Sequence, residues 1–287
     1  MGTSTGTDID GAKRFIYENA RLLERHRLAV LLHSASRSRV VDALRPYRND
    51  DGGWGHALEP DLRGPDSQVS AAMSALEILA EVGARDEPVV GETADWLASV
   101  ALRDGRVPHV LASAERYPRA PWLQRSDTGF LTFATVAHLW DMDANHPWLD
   151  AATAWCWSQV EVDGATGGYA VKFALDFLDA VPEHDRAEAA VERLRPALRP
   201  DGTLPISGGV EGEHLTPLEL SNRPGAPSRA LFTDAQIEAG LDALEREQLD
   251  DGGWDFHFQH WSRGQEVEWR GIVTLYALRT LRAHGRT

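Results

Sequence analysis

The sequence has a single cysteine and no apolar run long enough to cross a membrane. One thiol excludes an internal disulfide, and Cys156 lies between two tryptophans, a setting typical of a small buried hydrophobic residue. A membrane span needs about 18 to 20 consecutive apolar residues, so we expect none. Residues 1–10 are small, polar and acidic, unlike a signal peptide, and we expect them to be flexible in a cytoplasmic protein.

Positive charge is also scarce. The 287 residues include 29 Lys and Arg against 44 Asp and Glu, which gives a formal net charge of -15. Phosphate backbones are bound by Lys and Arg, so we expect no nucleic-acid partner. His257 and His260 lie close together without an evident third ligand, and no Cys–His spacing suggests zinc. We therefore expect no metal and no other cofactor; the oligomeric state stays open.

Alternation typical of β-strands is nearly absent, whereas helical periodicity is found along most of the chain. Residues 199–229, rich in proline and glycine, are predicted to form a long irregular insertion. The periodicity predicts a first helix from Asp8 or Asp10 to about His33. It also predicts helices over residues 38–47, 68–82, 92–102, 130–140, 147–160, 168–181, 185–198, 234–248 and 268–284.

Two kinds of helix alternate in this pattern. One kind has a charged face and belongs on the outside, and the other is apolar on most sides and must be buried. Pairs of this kind, stacked in chain order, make two concentric rings. The sequence thus predicts an all-α fold, an α/α toroid of about five to six helical hairpins, in a single domain over residues 1–287.

A five-residue motif occurs twice. Residues 50–54 and 250–254 both read Asp-Asp-Gly-Gly-Trp, and weaker Asp-Gly echoes stand at 104–105, 163–164 and 201–202. Successive motifs are 53, 59, 38 and 50 residues apart when counted from Asp51, a period that suits one helical hairpin per repeat. Glycine suits the turn because it tolerates positive φ.

This pattern resembles the terpenoid cyclase and prenyltransferase toroids, especially the QW repeats of squalene-hopene cyclases. Residues 248–254, Gln-Leu-Asp-Asp-Gly-Gly-Trp, are similar to the core of that repeat, and Asn49 stands near the Gln position of the first copy. Residues 66–72 resemble the start of an inner helix in that superfamily. The resemblance implies that the repeats are structural. Residues 141–144, Asp-Met-Asp-Ala, lack the last aspartate of the Asp-x-Asp-Asp acid of class II cyclases.

The loop after the first motif holds the first candidate site. It leads into the N-terminus of a predicted inner helix, and a carboxylate in an apolar cavity there has a raised pKa and can act as a general acid. Glu59 and Asp61 are the catalytic candidates, with His56 and Arg63 as candidate binding residues. Two structural alternatives are open: Asp66 caps the helix, and Glu59 pairs with Arg63.

A second cluster lies at the start of the last predicted helix. Glu268 is the third catalytic candidate, and Arg270 is able to bind a ligand carboxylate or phosphate. Alternatively, Arg270 forms a buried salt bridge with an acidic residue of the first loop. Trp261, Trp269 and Tyr276 are candidates for aromatic walls around a substrate.

These residues favour an enzyme that acts on an isoprenoid or other hydrophobic substrate, with an inner-cavity carboxylate as general acid and a terpene cyclase-like (isomerase or lyase) activity. Two alternatives stay open. One is a non-catalytic binding or interaction toroid. The other is a carbohydrate-active toroid, in which two carboxylates such as Asp61 and Glu268 flank a glycosidic bond.

Overall fold

The computed structural model describes residues 6–126, 128–163 and 167–287, and within these ranges the chain is mostly helical. The prediction of an all-α protein is confirmed. The helices are α1 Ile9–Asn19, α2 Leu22–Leu31, α3 Ser38–Leu44, α4 Val69–Glu81, α5 Pro88–Val100, α6 Leu131–Asp141, α7 Pro147–Ser158, α8 Gly168–Ala180, α9 His184–Val191, α10 Pro217–Leu220, α11 Asp234–Arg246 and α12 Arg263–Ala283. No helix in the described ranges is both long and apolar enough to cross a membrane.

The predicted first helix is two helices, α1 and α2. Asp8 caps α1 by accepting a hydrogen bond from the Gly11 N–H at 2.8 Å. The chain is extended at Ala20 and Arg21, where ψ is 160° at both residues. The Arg21 side chain then folds back onto the Glu24 carboxylate, with its Nε at 2.9 Å and its Nη2 at 2.8 Å from the two oxygens. This ion pair holds the break that periodicity did not predict.

The segment predicted as an irregular insertion contains short regular elements. Strands β1 Leu204–Pro205 and β2 His214–Leu215 pair antiparallel. Helix α10 follows, and a capping box between Thr216 and Glu219 fixes its start. Strands of two residues are too short to produce an alternating pattern, which explains why periodicity did not reveal them.

The chain divides into two compact units, Leu44–Ala197 and Met1–Ala43 with Leu198–Thr287. In the unit Leu44–Ala197, α6 packs against α4 and α8, and α5 packs against α7. Within α6 every residue from Leu131 to Leu139 is buried except His138, whereas α7 alternates buried and exposed positions. The predicted contrast between apolar and amphipathic helices is therefore present in this unit.

In the other unit, α12 packs against α1, α2 and α11. Gly271 of α12 permits a close approach to the junction of α1 and α2, since a Cβ at this position would lie 2.9 Å from the Ala20 Cβ. The buried residues of α12 include Ile272, Leu275 and Leu278. This long helix is the element around which the unit is built.

Four Asp-Gly turns share one hydrogen-bond pattern: residues 49–53, 102–106, 199–203 and 249–253. The first N–H donates to the fifth carbonyl, the glycine N–H donates to the first carbonyl, and the aspartate Oδ1 accepts from the fifth N–H, all at 2.8–3.3 Å. The glycines Gly52, Gly105, Gly202 and Gly252 have φ between 85° and 91°. Gly164, in the remaining echo, lies outside the described residues.

Replacing the glycine of the last turn tests the turn geometry. In Gly252→Ala the new Cβ would meet the Gly11 backbone at a φ that alanine rarely adopts. We expect a loss of at least about 2 kcal/mol in the free energy of unfolding, measured by urea denaturation.

The matched control is Gly91→Ala. Gly91 lies within α5, and no described atom lies within 4 Å of the position that a Cβ would take there. Alanine at this position should stabilise by up to about 1 kcal/mol. Equal effects of the two substitutions would contradict the assignment of Gly252 to a sterically closed turn.

Candidate functional site

Residues 55–68 form a loop that is tied to the first Asp-Gly turn. The Asn49 side chain donates hydrogen bonds to the Pro65 carbonyl and to the Ser67 hydroxyl, both at 2.9 Å. Ser67 in turn donates to the Asp51 carboxylate at 2.7 Å. The Trp96 indole N–H also donates to Asp51, at 3.1 Å. The aspartate of the motif therefore fixes both its own turn and the loop that carries the predicted carboxylates.

The two predicted catalytic residues of this loop are buried: Glu59 is 8% and Asp61 is 4% exposed. The Asp61 carbonyl accepts a hydrogen bond from the Ala120 N–H at 2.8 Å, which pairs the loop with a later segment. Glu59 lines a crevice of about 170 Å³ that has no room for a water-sized sphere. The crevice is lined by Gly55, Ala57, Leu58, Glu59, Leu62, Gly64, Asp66, Gln68, Ser70 and Ala71.

The backbone just before Glu59 is strained. His56 and Ala57 both have positive φ, 54° and 59°, a region that non-glycine residues seldom occupy. Each such residue costs about 1 to 3 kcal/mol, and such strain clusters at functional sites. The His56 ring is exposed, and its Nε2 lies 2.9 Å from the Asn49 Oδ1. Its predicted role in substrate binding stays a prediction.

Asp66 does not cap α4, contrary to one structural alternative. Gln68 occupies the N-cap position without a side-chain cap. The Asp66 carboxylate instead lies 2.6 Å from the Arg116 guanidinium, in an ion pair that is largely exposed. Asp66 lies two residues before the N-cap position. Its side chain contacts Arg116 of the facing loop instead of the helix. Arg63 is half-buried, and its N–H donates to the Pro118 carbonyl at 2.9 Å.

An aromatic cluster that sequence analysis missed lies at the start of α6 and α8. The Phe130 ring is 4.6 Å from that of His109 and is stacked on that of Phe173 at 6.0 Å. Tyr169 extends the cluster, 6.3 Å from Phe173. Burial lowers the pKa of His109, so at neutral pH its ring is uncharged. The helical pattern showed Phe173 but gave no sign of His109, which lies in a loop.

The aromatic cluster and the Glu59 loop lie at the same end of the α4–α6–α8 layer. The Leu111 N–H donates to the side chain of Gln68, the N-cap of α4, at 3.0 Å. Two residues earlier, His109 contacts Phe130, the N-cap of α6. One short segment therefore joins the N-termini of both helices. The loop with the buried carboxylates and the aromatic cluster are thus at the same end of this helix layer.

Several ionisable side chains lie together in the same helix layer, near the C-terminal half of α6. His138 of α6 is half-buried, and burial lowers its pKa, opposed by the nearby carboxylates of Glu77, Asp176 and Asp141. Lys172 of α8 pairs with Asp176 at 2.8 Å. His138 is the one ionisable side chain within the apolar part of α6, and this isolation was its only signal in the sequence.

The predicted site residue Glu268 joins an ion network in the other unit. Its Oε2 lies 3.8 Å from the Arg21 guanidinium, which also holds Glu24. Glu24 and Arg27 are 0% and 1% exposed, and their charged groups are 3.7 Å apart. The Arg27 guanidinium lies 5.9 Å from the centre of the Tyr276 ring. These contacts describe a buried structural network; catalysis by Glu268 stays a prediction.

Arg270 pairs with the second motif. Its Nη1 and Nη2 each lie 2.9 Å from an oxygen of Asp251, and its Nε donates to the Trp254 carbonyl at 3.3 Å. Its guanidinium also lies 4.5 Å from the centre of the Phe15 ring. The suggested salt bridge with the first loop is therefore replaced by a salt bridge with Asp251. This partner is 19 residues away in sequence, across a loop that concealed the pairing.

Of the predicted aromatic walls, Trp269 belongs to a compact cluster of rings. Trp269 meets Phe258 edge-on, with ring centres 5.2 Å apart, and lies 6.5 Å from Phe256. The His260 ring is stacked on Phe256 at 4.1 Å. Trp261 is half-buried at the edge of the same loop. Substrate binding by Trp261, Trp269, Arg270 and Tyr276 stays a prediction.

Several other residues are accounted for by structure alone. Asp143, in the segment that departs from the cyclase acid motif, is exposed and pairs with Arg85 at 2.5 Å. Cys156 is fully buried, and burial raises its pKa well above the usual value, so it is no nucleophile. Among the described residues no group of three or more His, Cys, Asp or Glu is arranged to hold a metal ion.

The fold is shared with a solved terpene cyclase. A structure of a substituted form of the type II terpene cyclase MstE from Scytonema, in complex with its substrate geranylgeranyl dihydroxybenzoate, matches with a TM-score of 0.54 and 16% identity. The match covers 97% of this chain and 97% of that chain. The chain therefore has the all-α fold of that cyclase, the α/α-toroid class that the sequence predicts.

No protein-family model matches the sequence, and no curated protein matches it either. At 16% identity the likeness concerns the fold alone. Function must then be argued from the side chains that this fold brings together.

The salt bridge of Arg270 can be tested by pH. Arg270 lowers the pKa of Asp251, so the pair stabilises the protein above the unfolded pKa and is lost as the pH falls through the lower folded value. Arg270→Met should lower the free energy of unfolding by about 1 to 2 kcal/mol at pH 7. The difference should shrink at a pH well below 3.8, the ordinary pKa of an aspartate, as Asp251 becomes protonated, although partial exposure of Asp251 keeps this part small.

Arg282→Met is the matched control, because Arg282 is exposed on the same helix. Urea unfolding at both pH values should show no change for this variant. Equal losses in the two variants would contradict a structural role for Arg270.

Proposed function

We propose that the chain is a terpenoid cyclase-like enzyme that starts its reaction by protonating an isoprenoid or similar hydrophobic substrate. Asp61 is the proposed proton donor, and Glu59 is its partner in the same loop. The shared hydrogen-bond pattern of the Asp-Gly turns supports identifying them with QW repeats, whose role is structural. The chain shares its fold with a type II terpene cyclase, and this likeness supports the choice of reaction class.

One observation carries the proposal: two buried carboxylates lie at the same end of a helix layer as an aromatic cluster. A carboxylic acid shielded from water favours its neutral, proton-donating form. Aromatic faces stabilise a nearby cation through their quadrupoles. Phe130, Phe173 and the uncharged ring of His109 supply such faces at the same end of the helix layer as the loop that carries Asp61.

The proposed reaction conserves atoms. The proton of the Asp61 carboxyl forms a C–H bond with the π electrons of a terminal alkene, which leaves a tertiary carbocation. A second alkene of the same chain then adds to the cation and closes a ring. Loss of a proton to a base gives a cyclic isomer of the substrate. No oxidant or co-reactant is required.

A non-catalytic interaction toroid, whose centre is filled by side chains, is the second candidate. It is favoured by the crevice beside Glu59, which has a volume of about 170 Å³ and leaves no room for a water-sized sphere. A hydrophobic ligand of drug-like size needs a pocket of roughly 300 Å³ or more. On this reading the buried carboxylates stabilise the loop. The carbohydrate-active alternative gains no support, because Glu268 lies beside Arg21 in the ion network.

Turnover of a prenylated aromatic acid is the direct test. We expect purified protein to convert geranylgeranyl dihydroxybenzoate to a product of unchanged mass and altered retention, detected by chromatography with mass spectrometry. Asp61→Asn should reduce this rate by about 100-fold or more, since general acid catalysis contributes about 10²- to 10⁴-fold. The thermal midpoint should stay nearly unchanged.

Asp143→Asn is the matched control, because it makes the same change at an exposed ion pair in a different loop of the same unit. This variant should retain turnover. A strong loss of thermal stability in Asp61→Asn would assign Asp61 to structure instead. Absence of both an isomeric product and ligand binding by calorimetry would favour the interaction toroid.

A further inference from the structure

A groove separate from the buried loop lies along the exposed face of α7. Its volume is about 600 Å³, within the range of roughly 300 to 1,000 Å³ typical of ligand pockets. One wall is a stripe of α7 and the turn after it, with residues at helical three- and four-residue spacing. The groove is lined by Trp140, Asp150, Thr153, Ala154, Trp157, Ser158, Glu161, Pro182, Glu183 and Arg186.

The lining of this groove, which we call the α7 groove, is acidic and aromatic. Three carboxylates and one guanidinium line it, which leaves a formal charge of -2. The two indoles are fixed by their N–H groups: Trp140 donates to Thr153 at 3.1 Å, and Trp157 donates to Glu183 at 3.2 Å. Fixed indole faces beside carboxylates are complementary to an organic cation.

The chain itself fills one half of the α7 groove with such a cation. The Arg186 guanidinium lies 3.9 Å from the centre of the Trp157 ring. Its Nε donates to the Glu161 carboxylate at 2.7 Å. An arginine held between an indole face and a carboxylate is therefore compatible with the geometry of this groove.

The other half offers the same two components without a cation. Trp140 is half-buried, and Asp150 is exposed in the first turn of α7, where the described residues place no cation against it. Glu183 is exposed and serves both halves, since it accepts the Trp157 N–H and its charge also acts on Arg186. Because the protein carries a net charge of -15, a second copy of this chain would be repelled, and a basic partner would be attracted.

We propose that the α7 groove binds an arginine side chain from a basic segment of a partner protein. The guanidinium would lie against the Trp140 indole and between the carboxylates of Asp150 and Glu183. Arginine suits the position better than lysine, because its planar guanidinium stacks on aromatic faces and pairs bidentately with carboxylates. The proposal is independent of any catalytic activity.

A peptide titration of the full-length protein tests the proposal. The probe is an acetylated, amidated tetra-arginine peptide, and the control is the tetra-citrulline peptide, which has nearly the same shape but no charge. Binding is followed by the indole N–H signals of ¹⁵N-tryptophan-labelled protein. We expect the arginine peptide to shift the Trp140 signal, assigned with Trp140→Phe, and the citrulline peptide to leave it unchanged.

Two conservative variants localise the binding. Asp150→Asn and Glu183→Gln each remove a charge, and the amide oxygen introduced by Glu183→Gln can still accept the Trp157 N–H. Each variant should weaken peptide binding by about fivefold, the loss that corresponds to about 1 kcal/mol for one exposed charge contact. Asp185→Asn removes the same charge from an exposed position of α9 that does not line the groove, and should weaken binding by less than about twofold.

Three outcomes would overturn the proposal. Equal binding of the citrulline peptide would show that the groove does not recognise the charge of the guanidinium. Equal weakening by Asp150→Asn and Asp185→Asn would reduce the effect to general attraction by an acidic protein. Agmatine, a single guanidinium without a peptide, shifting the Trp140 signal at the same concentration as the peptide would indicate a small cation rather than a protein segment.

Discussion

The hydrogen bonds accepted by the aspartate carboxylate of the Asp-Gly turn are the interactions on which much of the described structure depends. In the first turn Asp51 accepts hydrogen bonds from the Gly53 N–H, the Ser67 hydroxyl and the Trp96 indole. A single side chain thereby sets the turn, the loop that follows it and the helix that packs against it. In the last turn Asp251 likewise accepts a hydrogen bond from the Gly253 N–H. Its other partner is the Arg270 guanidinium, in place of a hydroxyl and an indole. The same motif is thus secured by different partners in the two places.

Elements governed by short-range rules could be predicted from the sequence, and elements governed by distant partners could not. The positive φ of Gly52 and Gly252 and the burial of α6 follow from local patterns. The course of residues 55–68, by contrast, depends on contacts with residues 111–120. For the same reason the acidic loop was recognisable from its own residues, whereas the His109–Phe130 contact had no signal.

Buried charge is handled differently in the two units. Glu24 and Arg27 are almost completely buried and lie within 3.7 Å of each other, with Arg21 completing the network. Removing one partner from such a network is costly, because it leaves a charge without compensation in a medium of low dielectric constant. Such a network suits a structural role. Glu59 and Asp61 belong to a strained loop instead, and such strain is more typical of a functional site.

The incomplete cyclase acid motif at residues 141–144 favours the loop of Glu59 and Asp61 as the source of a catalytic acid. Asp143, the second aspartate of the segment at 141–144, is exposed, adopts a positive φ of 55° and is paired with Arg85. A surface carboxylate is a poor proton donor to an alkene, because water reaches it and competes for the proton. If the chain performs acid-initiated chemistry, its acid must then come from a position shielded from water. Within the described part of the unit Leu44–Ala197, Glu59 and Asp61 are the acidic side chains that are buried.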